Sequence, residues 1–247
     1  MNRSILNSIT AIAIAFSALV ATSIAHAKEV KVTDAAFKFN KVKYWRGKAE
    51  NVRIGSYGEK KTSGRYLAID SNINAKHLSG KVNAVGPFSI NFKTVNKGSI
   101  GAGLRYLTAN GSASFDWKKA KNGKLKLMKF FVDEGALKKV INKKAGSALK
   151  SLRDEGRDGR VVSEIWVVVE ASFGEQIANE GSFDVSVDKG KVRLSGNGSA
   201  SSRSRTQVEL PANSTFAYLM HKVKKWNKKG MNKTTISNME DDQPGMR

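Results

Sequence analysis

Apolar and polar residues alternate along most of this chain, and a period of two predicts half-buried strands. Val30-Lys-Val32 and Phe37-Lys-Phe39, with Val42 and Tyr44, open the series. Residues 65–69 form another short strand pattern, and Phe88-Ser-Ile90-Asn-Phe92 alternates strictly after Gly86-Pro87. Phe115 and Trp117 alternate again, and Leu125-Lys-Leu127 continues beyond a turn expected at Asn122-Gly123. Ile165-Trp-Val-Val-Val169, within 161–171, is a nearly continuous apolar run, the pattern of a strand covered on both faces. Phe183-Asp-Val185-Ser-Val187 alternates, Asp188-Lys-Gly190 turns the chain, and 191–196 returns as a strand. A last strand is predicted over 215–223, after Val208 and Leu210-Pro211.

One segment breaks this rhythm. Between about 134 and 153, Leu137, Val140, Ile141, Ala145, Leu149 and Leu152 recur at steps of three and four, which predicts one amphipathic helix. Asp133 stands at the N-cap position, where a carboxylate can accept from the unpaired N–H groups of the first turn. The two glycines of Asp154-Glu-Gly-Arg-Asp-Gly159 end the helix.

The N-terminus reads differently. Arg3 precedes an apolar run over 5–24 that ends in Ala25-His26-Ala27, the three parts of a secretory signal peptide. An uncleaved anchor is the competing reading, but Asn7, Ser8, Thr10 and Ser17 interrupt the run and no stop-transfer cluster follows. The expected division is a signal peptide at 1–27, a single β-rich domain at 28–226 and a polar tail at 227–247, basic first and then acidic at Glu240-Asp-Asp242. The product is expected to be exported, as a periplasmic or secreted protein.

Charge sharpens the picture. There are 43 Lys and Arg against 21 Asp and Glu, a formal net charge of +22 over 247 residues. A merely soluble surface mixes both signs, so an anionic partner is expected. The candidate anion- or lipid-binding residues fall in three groups: Lys118, Lys119, Lys121 and Lys124; Lys138, Lys139, Lys143, Lys144, Lys150 and Arg153 on the helix; and Lys222, Lys224 and Lys225 beside Trp226. Each cation near an anionic bilayer contributes on the order of 1 kcal/mol. Trp226 and Trp117 have the apolar body and polar N–H that suit a headgroup region. Two functional classes fit: binding to anionic membrane surfaces, or a soluble module for a polyanion such as lipopolysaccharide or an acidic glycan. Export argues against nucleic acid as the partner in vivo.

Catalytic chemistry is not expected. Without Cys there is no thiol nucleophile, disulfide framework or thiolate metal site. Beyond the predicted leader the histidines are His77 and His221, too few for a transition-metal centre, and no loop carries the acidic spacing of a calcium site. Gly-x-Ser-x-Gly is absent, Gly101-Ala-Gly103 lacks the third glycine of a dinucleotide turn, and Lys124 after Gly123 lacks the Ser or Thr of a phosphate loop. No cofactor and no metal are expected. His221 reads as a surface or packing residue.

Two tracts, 95–114 and 190–205, are rich in Gly, Ser and Ala, which gives strands with weak register and little packing. They fit edge strands, or segments able to refold into long hairpins. The stretch from Lys124 to Lys225 resembles the second half of a gasdermin pore-forming domain in its order of elements. Gly123-Lys-Leu125 through Val132-Asp133 resembles a strand ending before a helix, and Leu137 to Leu152 that helix. Ser163-Glu-Ile-Trp-Val-Val-Val-Glu170 resembles the buried strand, and Val208-Glu-Leu-Pro211 with Ser214-Thr-Phe-Ala-Tyr218 the late strand. The resemblance implies an α+β fold with a twisted, mainly antiparallel sheet and one prominent amphipathic helix at about 134–153. It also implies contact with acidic lipid, a homo-oligomer on membranes, and hairpins formed from about 88–117 and 165–194.

Overall fold

A computed structural model describes residues 32–33, 36–63, 65–179, 183–188, 191–196, 208–210 and 213–245. The predicted leader and most of the 190–205 tract lie outside the described residues. The strands are β1 (Ala36–Phe39), β2 (Val42–Trp45), β3 (Ser56–Lys61), β4 (Tyr66–Asn72), β5 (Val82–Phe88), β6 (Arg105–Thr108) and β7 (Gly111–Ser114), then β8 (Leu125–Val132), β9 (Gly159–Glu170), β10 (Phe183–Asp188), β11 (Lys191–Gly196), β12 (Val208–Leu210), β13 (Thr215–Lys229) and β14 (Asn232–Asp242). The helices are α1 (Ala75–Leu78), α2 (Trp117–Lys121), α3 (Glu134–Lys144), α4 (Gly146–Asp154) and α5 (Ala171–Asn179). Together they make a mixed α/β fold around a mostly antiparallel open sheet.

Two long strands organise it. β9 pairs with β13 along one edge, and with β3 and then β8 along the other. β13 in turn pairs with β9 only as far as Lys222, and beyond that runs with β14 alone. β10, β11 and β12 form a separate three-stranded antiparallel sheet. Alternation divides the apolar side chains between two cores. Ile165, Val167, Tyr218, Met220, Met128 and Phe130 point to one, which α3 and α4 cover with Leu137, Val140, Ile141, Ala148 and Leu152. Trp166, Val168, Phe216, Leu219, Leu125 and Leu127 point to the other, closed by Phe37, Tyr44, Phe92 and Ala120 of α2.

Several local expectations give way. The predicted single helix over 134–153 is two helices, broken at Ala145 (φ −119°, ψ 61°). Gly146 is a poor helix former, and the break lets α3 lie along β14 while α4 lies along β9 and β3. Asp133 stands at the N-cap, but its carboxylate accepts from Asn83 Nδ2 at 3.2 Å rather than from the helix. The strand expected at 88–92 ends at Phe88. Asn91 and Asn96 then accept from the backbone of Lys93 and Gly98 and wind two short 3-10 turns. The strand expected at Phe115 and Trp117 is replaced by α2, because Asp116 caps Lys119 N–H at 3.0 Å. Asn122-Gly123 is that helix's end rather than a hairpin turn, with Gly123 at φ +71°.

The chain from 227 onward, expected as a polar tail, is built into the main sheet. β14 buries Ile236 and Met239 in the α3-covered core, and Asn142 of α3 grips its backbone, donating to Ile236 O and accepting from Ile236 N at 2.8 Å each. Of the segments the resemblance implies as hairpins, 88–117 carries the 3-10 turns and the β6–β7 pair, and 165–194 passes through β9, α5, β10 and the start of β11.

Candidate anion-binding site

The sheet separates the predicted basic residues. Lys118, Lys121 and Lys124 are exposed around α2, on the face of the second core. Lys119 in that group is tied to Glu170 at 2.9 Å, and this bond, with Tyr106 beside it, raises its pKa. Lys139, Lys143 and Lys144 are exposed on α3, across the sheet from α2. Lys138 donates to Ser237 O at 3.0 Å, Lys150 pairs with Asp154 at 2.8 Å, and Arg153 is half-buried on α4. On β13, Lys222 and Lys224 both reach Glu240, at 3.1 and 3.0 Å, and hold its carboxyl below the ordinary range. Lys225 is exposed, and Trp226 packs half-buried against the α3-covered core. The single basic surface implied by the residue count is therefore divided: Val223 and Trp226 pack toward the α3-covered core, so alternation turns Lys222, Lys224 and Lys225 to the other side of the strand.

The α3 helix has a direction on the hairpin. Along α3, Glu134 meets Met239 N, Lys138 meets Ser237 O and Asn142 meets Ile236. The helix thus runs antiparallel to β14, and its C-terminal end, with Lys143 and Lys144, points toward the turn of the β13–β14 hairpin. Lys225, Lys228 and Lys229 are exposed on the outer half of β13, and Met231 in the turn is 98% exposed. Lys143, Lys144, Lys228, Lys229 and one bare apolar side chain so mark one end of the α3–hairpin unit.

A second feature lies at the base of the same hairpin, where β13 parts from β9. A cleft of about 530 Å³ opens between Lys60 of β3 and Thr62 just after it, Arg157 and Asp158 before β9, Arg160 on β9, and Lys222, Val223, Lys224 and Glu240 of the hairpin. Register builds it. Arg160 lies opposite Lys222, and Lys222 opposite Glu240. Like charges directly opposite across strands destabilise a sheet, so Arg160 and Lys222 stand together only because carboxylates flank them. Asp242 binds Arg160 Nε at 2.7 Å and Lys60 Nζ at 3.1 Å, while Glu240 takes Lys222 and Lys224. Of this set the sequence flagged Lys222 and Lys224. Lys60, Arg157 and Arg160 carry no local signal, since only strand pairing brings them in.

His221, read from sequence as a surface or packing residue, is buried next to this row. Its Nε2 lies 3.3 Å from Asp241 Oδ1, and its Nδ1 has no partner among the described residues. Burial pushes its pKa below the ordinary value, against the pull of Asp241 and Glu134. The unfolded chain, with an ordinary imidazole near 6.5, then takes the proton first as pH falls. Stability from this site is intact above about pH 6.5 and drains away below it. Urea midpoints at pH 7.5 and 5.5 are expected to fall further for the wild type than for His221→Gln; equal losses would refute the assignment.

Among the described residues no group of three or more His, Asp or Glu is placed to hold a metal ion, and no helix is long and apolar enough to cross a membrane. Comparison with family models, with curated proteins and with solved structures finds no match.

Proposed function

We propose that this protein binds anionic membrane surfaces through the end formed by the C-terminus of α3 and the β13–β14 hairpin. The observation that carries this is the exposed Met231 at the hairpin turn, next to Lys228 and Lys229 and on the side toward which Lys143 and Lys144 point. An apolar tip amid cations suits a headgroup layer, where the cations meet phosphates and the thioether enters the acyl boundary. Four lysines at on the order of 1 kcal/mol each amount to about three decades of affinity. Export, as the N-terminal pattern predicts, delivers such a surface to a lipid face outside the cytoplasm.

Co-sedimentation of the purified protein with phosphatidylglycerol–phosphatidylcholine vesicles tests this. Binding is expected at low salt and not to phosphatidylcholine alone, and it is expected to weaken steeply as salt screens the lysines. Joint replacement of Lys143, Lys144, Lys228 and Lys229 by Gln is expected to cost about a hundredfold or more. Replacement of Lys118, Lys121 and Lys124 by Gln, on the opposite face, is expected to leave most of the affinity. Equal losses from both sets would overturn the placement of the surface. Dye release with ring-shaped oligomers would extend the reading to the pore that the gasdermin resemblance implies. Binding without release would make this a docking module.

A further inference from the structure

We propose that the cleft between the end of β3, the turn before β9 and the base of the β13–β14 hairpin is a binding site for a phosphomonoester group. Five cations meet there: Lys60, Arg157, Arg160, Lys222 and Lys224. Three carboxylates, Asp158, Glu240 and Asp242, oppose them, which leaves a formal surplus of two positive charges. A phosphomonoester near neutral pH carries close to two negative charges and three acceptor oxygens, whereas a carboxylate or phosphodiester carries one charge.

The construction fits a binding site better than a stability device. Asp242 and Glu240 each hold two cations, so they position ammonium and guanidinium groups without neutralising them. Buried Arg160 is fixed further by donating to the carbonyls of Arg157 and Gly159, at 2.6 and 3.0 Å. Arg157 is exposed and makes no ion pair among the described residues. It stands on the cleft wall as a guanidinium able to take two phosphate oxygens at once. The volume of about 530 Å³ exceeds what a bare phosphate fills, leaving room for the sugar or glycerol that carries it. This site does not rest on the membrane reading, since Lys143, Lys144, Lys228 and Lys229 are not among its lining residues.

The test is calorimetric titration of the purified protein with glucose 1-phosphate at low ionic strength, with glucose as control. Binding of the phosphate and not of glucose is expected. Arg157→Gln and Lys224→Gln are each expected to weaken it about tenfold or more, with unchanged thermal melting. Lys143→Gln with Lys144→Gln alters the net charge by more than either and is expected to leave it intact. A parallel arm compares vesicles bearing phosphatidic acid, a monoester, with phosphatidylglycerol, a diester, at matched surface charge. A preference for phosphatidic acid that Arg157→Gln abolishes assigns a lipid headgroup; tight binding of the soluble phosphate without it assigns a free ligand. Absence of binding in both arms, or equal weakening by the α3 and cleft variants, would overturn the site. Phosphatidylglycerol binding that depends on the hairpin end is read separately, so either proposal can fail alone.

Discussion

Asp242→Ala is expected to destabilise the protein by about 3–5 kcal/mol, a large share of the 5–15 kcal/mol that holds a typical domain together. Its side chain is 1% exposed and is shared by Arg160, itself 4% exposed, and Lys60. Removing it strands a buried guanidinium beside Lys222 on the neighbouring strand. An uncompensated buried charge is costlier than the pair was worth. The composition makes such sharing necessary: with 21 acids for 43 cations, one carboxylate must often serve two. A cycle separates the charge effect from lost packing. Arg160→Met in an Asp242→Leu background is expected to recover most of the loss, giving a coupling of about 2 kcal/mol or more. Urea denaturation of the wild type, Asp242→Leu, Arg160→Met and the double variant measures it, with Asp242→Ala alongside. An unchanged midpoint for Asp242→Ala, or strict additivity, would show that the triad carries no such strain.

The same residues show what a one-dimensional reading reaches. β9 is legible because Ile165 to Val169 has no polar interruption, and a strand covered on both faces needs none. The stripe from Leu137 to Leu152 is legible as helix, but not its break at Ala145, because α3 and α4 both turn their apolar side to one core and the spacing runs on unbroken. β14 is hidden for a different reason. Irregular pairing between Val223 and Lys228 shifts its register, so Ile236 and Met239 fall three apart and match neither a strand nor a long helix. α2 is decided by a single cap, Asp116, which outweighs the alternation of Phe115 and Trp117. The hairpin-end lysines are legible as a basic run, but their alliance with Lys143 and Lys144 depends on how α3 lies on β14. The cleft is least legible of all. Its walls are about 100 and 60 residues apart in sequence, and bulges at Tyr57/Gly58 and Leu219/Met220 set which residues meet there.

Trp166→Ala is expected to cost a further 3–5 kcal/mol in its own right, about as much as the loss of Asp242. The indole is fully buried in the second core, with the rings of Phe37, Phe39, Tyr44 and Phe88 at 4.8–5.4 Å between centroids. It fastens β1 and β2 to the sheet, so the cavity would open where the N-terminal strands attach. Its Nε1 also donates to Glu164 Oε1 at 3.0 Å, a carboxylate that burial pushes above its ordinary pKa despite Lys129 and the Tyr44 hydroxyl. Trp166→Phe keeps most of the apolar volume and deletes that bond, and about 1.5–3 kcal/mol is expected for it at neutral pH. The sign of its pH dependence follows from the carboxyl. A raised folded pKa means that the buried charge is a burden above that pKa, relieved as pH falls toward the unfolded value near 4.3. The lost donor served the charged form, so the Trp166→Phe deficit is expected to shrink between pH 7.5 and 4.5. Urea midpoints at the two pH values decide it: a constant deficit would mean that the indole N–H contributes nothing to the charge on Glu164, and that packing alone holds β1 and β2 in place.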